Sequence, residues 1–275
     1  MAIQGVSFEQ GDNYTVCCID EFSDELKDLI REELSYICYG KNQVQEDELE
    51  EIPHYSYETT LREFLARFSR QSRSVKKGMA GEFLAHLLIK HYINDLEPIS
   101  IYFNKEERSI KKGFDLNFRD VNQNAVWYGE VKSGEVNGDD GHDLVNFNLL
   151  NKSKRAIQHL LSGERLSIWE SVLIDAGLSF AGDEKIEVQR ILKGDVRDIK
   201  NSTNVNKNAV LVSVLFHDVN NKIDHTQLPG YLTSVLEEET FNQVIVFSIQ
   251  KEAFEQLHEF LMNDLQAQAE EPNLL

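Results

Sequence analysis

The order of apolar and polar positions divides the chain into alternating extended and helical stretches. Residues 14–19 (YTVCCI) predict a short strand and 23–38 a helix. A polar, acidic connection containing Pro53 follows. A second helix is predicted over 59–71, opened by Thr59 and Thr60, with Glu63 three residues after Thr60 as in a capping box. A Ser/Arg-rich joint at 69–74 leads to a third helix at about 75–93. Candidate strands are 99–103, 113–119 and 125–132. A Gly/Asp-rich loop, 133–143, precedes a helix at about 147–162, and 163–207 read as mostly helical and polar. Two very apolar strands, 209–216 and 243–249, complete the pattern, and the second runs into a closing helix at 251–267. Strands mixed with helices indicate an α/β or α+β domain around a central sheet. Neither an internal repeat nor a low-complexity segment stands out.

Composition narrows the class. Of the 275 residues 41% are hydrophobic, with 15 Phe, 9 Tyr and 2 Trp, enough for a core and too many for a disordered acidic chain. The longest apolar runs are too short to span a bilayer, and the first residues lack the basic and apolar regions of a signal peptide. Cys17, Cys18 and Cys38 are odd in number, two of them adjacent, which suits neither a disulfide framework nor a zinc site. A reducing cytoplasm is the expected location, with no membrane partner.

Charge changes the picture more. With 28 Lys+Arg against 47 Asp+Glu the net charge is −19. That value argues against a free-standing DNA binder, since phosphate contacts need Lys and Arg. The acid is unevenly spread, however. Residues 20–33 carry seven acids and two bases, and 46–51 carry five acids and no base. Residues 62–77 reverse the sign, with six bases and one acid. Over 62–161 there are 16 bases and 13 acids, net +3, while the flanks hold 12 bases and 34 acids, net −22. The central segment alone is compatible with a phosphate backbone.

The candidate chemistry lies in that segment. Strand 125–132 is AVWYGEVK, and its period-2 alternation sets Val126, Tyr128, Glu130 and Lys132 on one face. In the preceding GFDLNFR, alternation groups Phe114, Leu116 and Phe118 against Gly113, Asp115 and Asn117. Residues 120–124 (DVNQN) have turn composition. A hairpin closing about Asn122 and Gln123 sets Asp115 opposite Glu130. Side chains so opposed have Cβ atoms about 4.5–5.5 Å apart, where like charges destabilise. Lys132 can offset one of the two carboxylates. The pair therefore needs a shared proton or a cation, and Mg²⁺ accepts carboxylate oxygens while keeping several waters. Surface hairpins also carry Glu-X-Lys triplets, so the triplet alone decides nothing.

The helix before the sheet adds a third carboxylate. In residues 79–89 (MAGEFLAHLLI) the only polar side chains are Glu82 and His86, four apart on one face. A helix apolar nearly all round is buried, and Glu is rarely buried without a partner. A place at a metal site would explain Glu82; a core pairing with His86 or an arginine is the alternative. His86 itself reads as a core histidine.

Taken together, a helical Glu82, then GFD with Asp115, then GEVK with Glu130 and Lys132, resemble the PD-(D/E)XK nuclease superfamily over about 76–161. Phe114 stands where the literal motif has proline. The resemblance implies a restriction-endonuclease-like αβββαβ core, a mixed sheet flanked by helices, holding Mg²⁺ or Mn²⁺. It implies metal ligation by Asp115, Glu130 and the Val131 carbonyl, with Glu82 direct or through water. Lys132 would orient the attacking water and stabilise the charged transition state. The runs KGMAGEFLAHLLIKHY, KKGFDLNFRD and WYGEVKSGE resemble a narrower family, HamA, the nuclease subunit of the Hachiman anti-phage defence system. That family is paired with HamB, a superfamily 2 helicase. The implied activity is a DNase restrained by the helicase until foreign or damaged DNA engages the complex. A non-catalytic adaptor of the same fold, or a housekeeping repair or restriction nuclease, are the alternatives.

On this reading residues 1–58 are an acidic N-terminal region with a strand and helix. Residues 59–275 are the nuclease domain, with core 75–162, a helical insertion at 163–207 and sheet completion at 208–267. Lys154 and Gln158, four apart on the helix at 147–162, are candidates for DNA backbone phosphates, as are Arg73, Lys76 and Lys77. The last three, with Arg67 and Arg70, could instead pair with the acidic N-terminal region. Residues 138–143 (GDDGHD) lack EF-hand spacing. Walker A, HExxH and G-x-S-x-G sequences are absent, so any ATP motor lies in another chain.

Overall fold

The computed structural model describes residues 2–103, 113–136, 140–162, 166–203 and 205–270. Two strands, β1 (Val6–Gly11) and β2 (Tyr14–Ile19), open the chain. Helices α1 (Asp24–Tyr39), α2 (Lys41–Asp47), α3 (Tyr57–Ser69) and α4 (Arg73–Tyr92) follow. Then come β3 (Leu96–Pro98), β4 (Leu116–Asp120), β5 (Ala125–Glu135) and α5 (His142–Leu161). Helices α6 (Leu166–Ser179) and α7 (Gly182–Lys200) precede β6 (Asn208–Phe216), α8 (Leu228–Glu237), β7 (Val244–Lys251) and α9 (Glu255–Glu270). From α4 the order is helix, three strands, helix and, after the α6–α7 pair, a further strand.

Among the described residues seven strands form one sheet in the order β1-β2-β7-β6-β5-β4-β3. The central β2, β7, β6 and β5 run parallel, and the outer pairs β1–β2, β5–β4 and β4–β3 are antiparallel. Every residue of β6 and β7 is buried, as expected of parallel strands covered on both faces. The acidic N-terminal region thus supplies two strands of the sheet. One face packs against α1, α3, α4 and α9, through residues such as Ile30, Phe64, Leu88 and Leu257. The other packs against α5 to α8, through Leu150, Trp169, Leu192 and Leu232.

Several expected boundaries shift for identifiable reasons. Residues 99–103 do not form a strand. The Ile99 and Ser100 amides both bond the Asn117 carbonyl, while the Tyr102 and Phe103 amides bond Ile37 and Cys38 at the end of α1. The backbone is satisfied by a helix end and the ladder moves back to β3. The cap of α3 is Ser56, whose hydroxyl accepts the Thr59 amide; Thr60 lies buried, bonded to Ser35. Strand β5 continues three residues beyond Lys132 because β6 still pairs with it there. It takes up the start of the expected Gly/Asp-rich loop, of which 137–139 lie outside the described residues. Short elements β1, α2 and α8 have no distinct pattern in the sequence. The expected starts at 147 and 251 become His142 for α5 and Glu255 for α9.

Candidate active site

The β4–β5 hairpin supplies the core of the site. Its ladder runs from Asp120↔Ala125 to Leu116↔Gly129, the diagonal on which 115 meets 130. The turn is held by Asp120, whose Oδ1 accepts the Asn122 and Gln123 amides and whose Oδ2 accepts the Trp127 indole N–H. Asn124 takes positive φ, 49°, as turn asparagines do. Strand β4 begins at Leu116, so Asp115 lies one residue outside the ladder. Phe114 consequently leaves the face shared by Leu116 and Phe118 and packs on the opposite side with Tyr128 and Trp169. The strict alternation expected for 113–119 thus fails at its first residues, where no neighbouring strand enforces the pleat.

Beyond Leu116↔Gly129, β5 has no antiparallel neighbour among the described residues, while it still pairs with β6 as far as Glu135↔Phe216. The candidate chemistry sits at this notch. Asp115 turns back across it, and its Oδ2 accepts the Val131 amide at 2.9 Å. The N–H and C=O of one strand residue point to the same side. The Val131 carbonyl therefore faces the notch beside Asp115. Lys132 Nζ lies 2.6 Å from Glu130 Oε2 and 3.8 Å from Asp115 Oδ2. Glu130, 4% exposed, is the most buried of the three. Burial first, and then the negative charge of Asp115, push its carboxyl up to about 8, against the pull of Lys132. Burial works to lower the Lys132 ammonium, but the Glu130 and Asp115 carboxylates outweigh it and hold it above its ordinary value.

Helix α4 brings Glu82 toward this notch from the other face of the sheet. Its approach depends on Gly81: a Cβ there would meet Ser133 Oγ at 2.0 Å and Val214 Cβ at 3.3 Å. Glu82 is partly buried, less enclosed than the apolar run around it suggests. Its charge is felt at Lys132 and at Tyr102, whose hydroxyl donates to the Met79 carbonyl. His86 is 1% exposed, edge-on to Tyr102, in the core as expected. It also borders a cavity of about 290 Å³ with Tyr36, Lys41, Lys90 and Ser100. None of Asp115, Glu130 and Lys132 lines that cavity.

Two crowded carboxylates with a single lysine, one of them pushed toward its protonated form, are a donor set that suits a hard divalent cation. Among the described residues no three His, Cys, Asp or Glu side chains are assembled as a cage. Mg²⁺ does not need such a cage, since it takes one or two carboxylates and fills its remaining positions with water and phosphate oxygens.

The candidate backbone contacts are engaged within the chain. Lys154 pairs with Glu238, and the Gln158 amide donates to Thr240. Arg73 pairs with Glu135 and Glu255, and Lys77 with Glu135, while Lys76 sits over the Phe68 ring. The partners of Arg73 and Lys77 are thus on β5 and α9, not in the acidic N-terminal region. Sequence reasoning missed two residues of this neighbourhood. Glu135 draws two cations to within three residues of Lys132. Ser153 on α5 touches the Glu130 main chain; its one signal is a hydroxyl on a helix face whose other buried residues are Leu149, Leu150, Ile157, Leu161 and a single amide, Asn146.

A family model described as HamA matches residues 4–265. No curated protein matches the chain.

Proposed function

The chain belongs to the HamA family and is with it a Hachiman defence-associated protein; from that premise we propose that it is a Mg²⁺-dependent DNA endonuclease, restrained and activated by a partner helicase. The convergence of Asp115, Glu130 and Lys132 at the open edge of β5 supports this reading most directly. Asp115, Glu130 and the Val131 carbonyl are the proposed ligands, with Glu82 reaching the ion directly or through water. The bound ion would supply a polarised phosphoryl oxygen and a water of lowered pKa. Glu130 would bind in its ionised form, giving up the proton that burial and Asp115 favour. Lys132 would exchange its contact with Glu130 for the attacking water and the charge developing on the phosphoryl oxygens. Asp115 would keep the Val131 peptide turned toward the notch through the bond to its amide.

All four side chains of the proposed set are intact, which favours catalysis over a silent nuclease-fold adaptor. The test is nicking of supercoiled plasmid by the chain co-purified with the proposed partner helicase, with and without ATP, in Mg²⁺ or EDTA. Mg²⁺-dependent nicking is expected, and Lys132→Ala should lower it about 100-fold or more. Equal activity of wild type and Lys132→Ala would overturn the assignment. DNA binding without cleavage under every activator would favour the adaptor.

A further inference from the structure

We propose that Ser153 is a positioning residue that sets the metal-binding geometry of β5 from the opposite helix. In the β5–β6 register, Glu130 is opposite Leu211 and Val131 opposite Val212. A parallel ladder in this register aims the Val212 amide at the Glu130 carbonyl. Ser153 Oγ stands at that same step. It donates to the Glu130 carbonyl at 2.7 Å and accepts from the Val212 amide at 3.3 Å. Ser153 is fully buried on the α5 face that also carries Leu149, Leu150 and Ile157. Helix α5 reaches the strand closely because residue 134 is glycine: a Cβ there would lie 3.0 Å from Leu149 Cδ2. Lys132 is opposite Ser213, which is tied to Asn146 of α5 and to Ser248.

Holding the Glu130 carbonyl toward β6 fixes the rotation of the peptide that joins Glu130 to Val131. The next carbonyl, that of Val131, must then face the notch, where Asp115 already holds its amide. Two of the proposed donors, the Glu130 carboxylate and the Val131 carbonyl, are thus within one residue of the Ser153 tie. A buried hydroxyl that satisfies both a ladder donor and a ladder acceptor has no slack to absorb a change in its position. Removing it withdraws one partner from both the Val212 amide and the Glu130 carbonyl, and with it the tie to α5 that fixes the rotation of the peptide joining Glu130 to Val131. The inference rests on the reading of Asp115, Glu130 and the Val131 carbonyl as metal ligands.

The test measures Mn²⁺ binding to the full chain by calorimetry, beside melting temperature and the Mg²⁺ dependence of nicking. Ser153→Thr and Ser153→Val have the same shape, so their difference isolates the hydroxyl. Ser153→Val is expected to bind Mn²⁺ about tenfold more weakly than Ser153→Thr at matched melting temperature. It should also need more Mg²⁺ for half-maximal nicking while its rate at saturating Mg²⁺ changes less. Should Ser153→Val not fold, Ser153→Ala against wild type carries the same comparison. Equal Mn²⁺ affinity across these variants and wild type overturns the role of Ser153 alone. Failure of the wild-type chain to bind Mn²⁺ overturns the reading of the site and this inference with it.

Discussion

Lys251 shows what one residue costs when the fold encloses it. It ends β7 with 1% of its surface exposed, its ammonium 5.0 Å from the Phe22 ring centroid and bonded to Gln256. Burial pulls its pKa down from 10.5 to about 8, with Glu252 opposing. A folded value below the unfolded one means that the unfolded chain holds more protons between about pH 8 and 10.5. Stability linked to this group therefore rises with pH across that window, and the penalty is fully present below it. Lys251→Met should stabilise the protein near neutral pH by at most about 3 kcal/mol. Thermal melts from pH 7 to 10.5 should show that advantage shrinking; a constant advantage would mean that burial of charge is not its source. Glu130 differs in kind, because its neighbours include a second acid as well as a lysine. The proximity of Asp115 and Glu130 was legible in the sequence, since hairpin register is simple counting once the turn is located. Their depth was not, because burial depends on what α5 and β6 lay over the strand.

At the scale of elements, the two helices that clamp β5 do so through small residues. Gly81 lets α4 cross onto Ser133 and Val214. Gly81→Ala would gain about 1 kcal/mol of helix propensity. The overpacking against β5 and β6 should cost more, about 1–3 kcal/mol. The expected outcome is a lower melting temperature together with weaker Mn²⁺ binding, because Glu82 follows Gly81 and moves with it. A higher melting temperature would show that Ser133 rotates away freely. Helix α4 itself was readable, because a run with only Glu82 and His86 polar has to be buried. Segment 99–103 misled for the complementary reason. It is apolar and extended enough for a strand, yet its amides find partners at the end of α1. Backbone hydrogen bonding is decided between elements, and a local pattern carries no record of which distant carbonyl lies nearest.

For the whole molecule, the net charge of −19 acquires a distribution. Much of the basic stretch is neutralised nearby, Arg62 by Glu58, Arg67 by Glu63, and Arg73 and Lys77 by Glu135. The five acids of 46–51 lie at the end of α2 and just beyond, where Leu49 and Ile52 are also exposed. Uncompensated acid at this scale repels a polyanion over about one Debye length, about 10 Å at 0.1 M salt. Replacing these five acids by their amides should raise the DNA affinity of the isolated chain several-fold at low salt, with the gain fading as salt increases. Binding titrations at two ionic strengths check this; no change at low salt would leave the stretch a solubilising surface only. No helix among the described residues is long and apolar enough to cross a membrane. By itself the sequence determined most of the helix and strand alternation and the hairpin register that brings Asp115 near Glu130, because each follows from spacing along a few neighbouring residues. Only the tertiary structure decided that Asp115 falls just before the start of β4, that β5 has no antiparallel neighbour at Val131 among the described residues and that α5 ties the Glu130 carbonyl through Ser153. Those features arise where segments distant in sequence compete for the same hydrogen bonds and the same space, and only the folded chain resolves that competition.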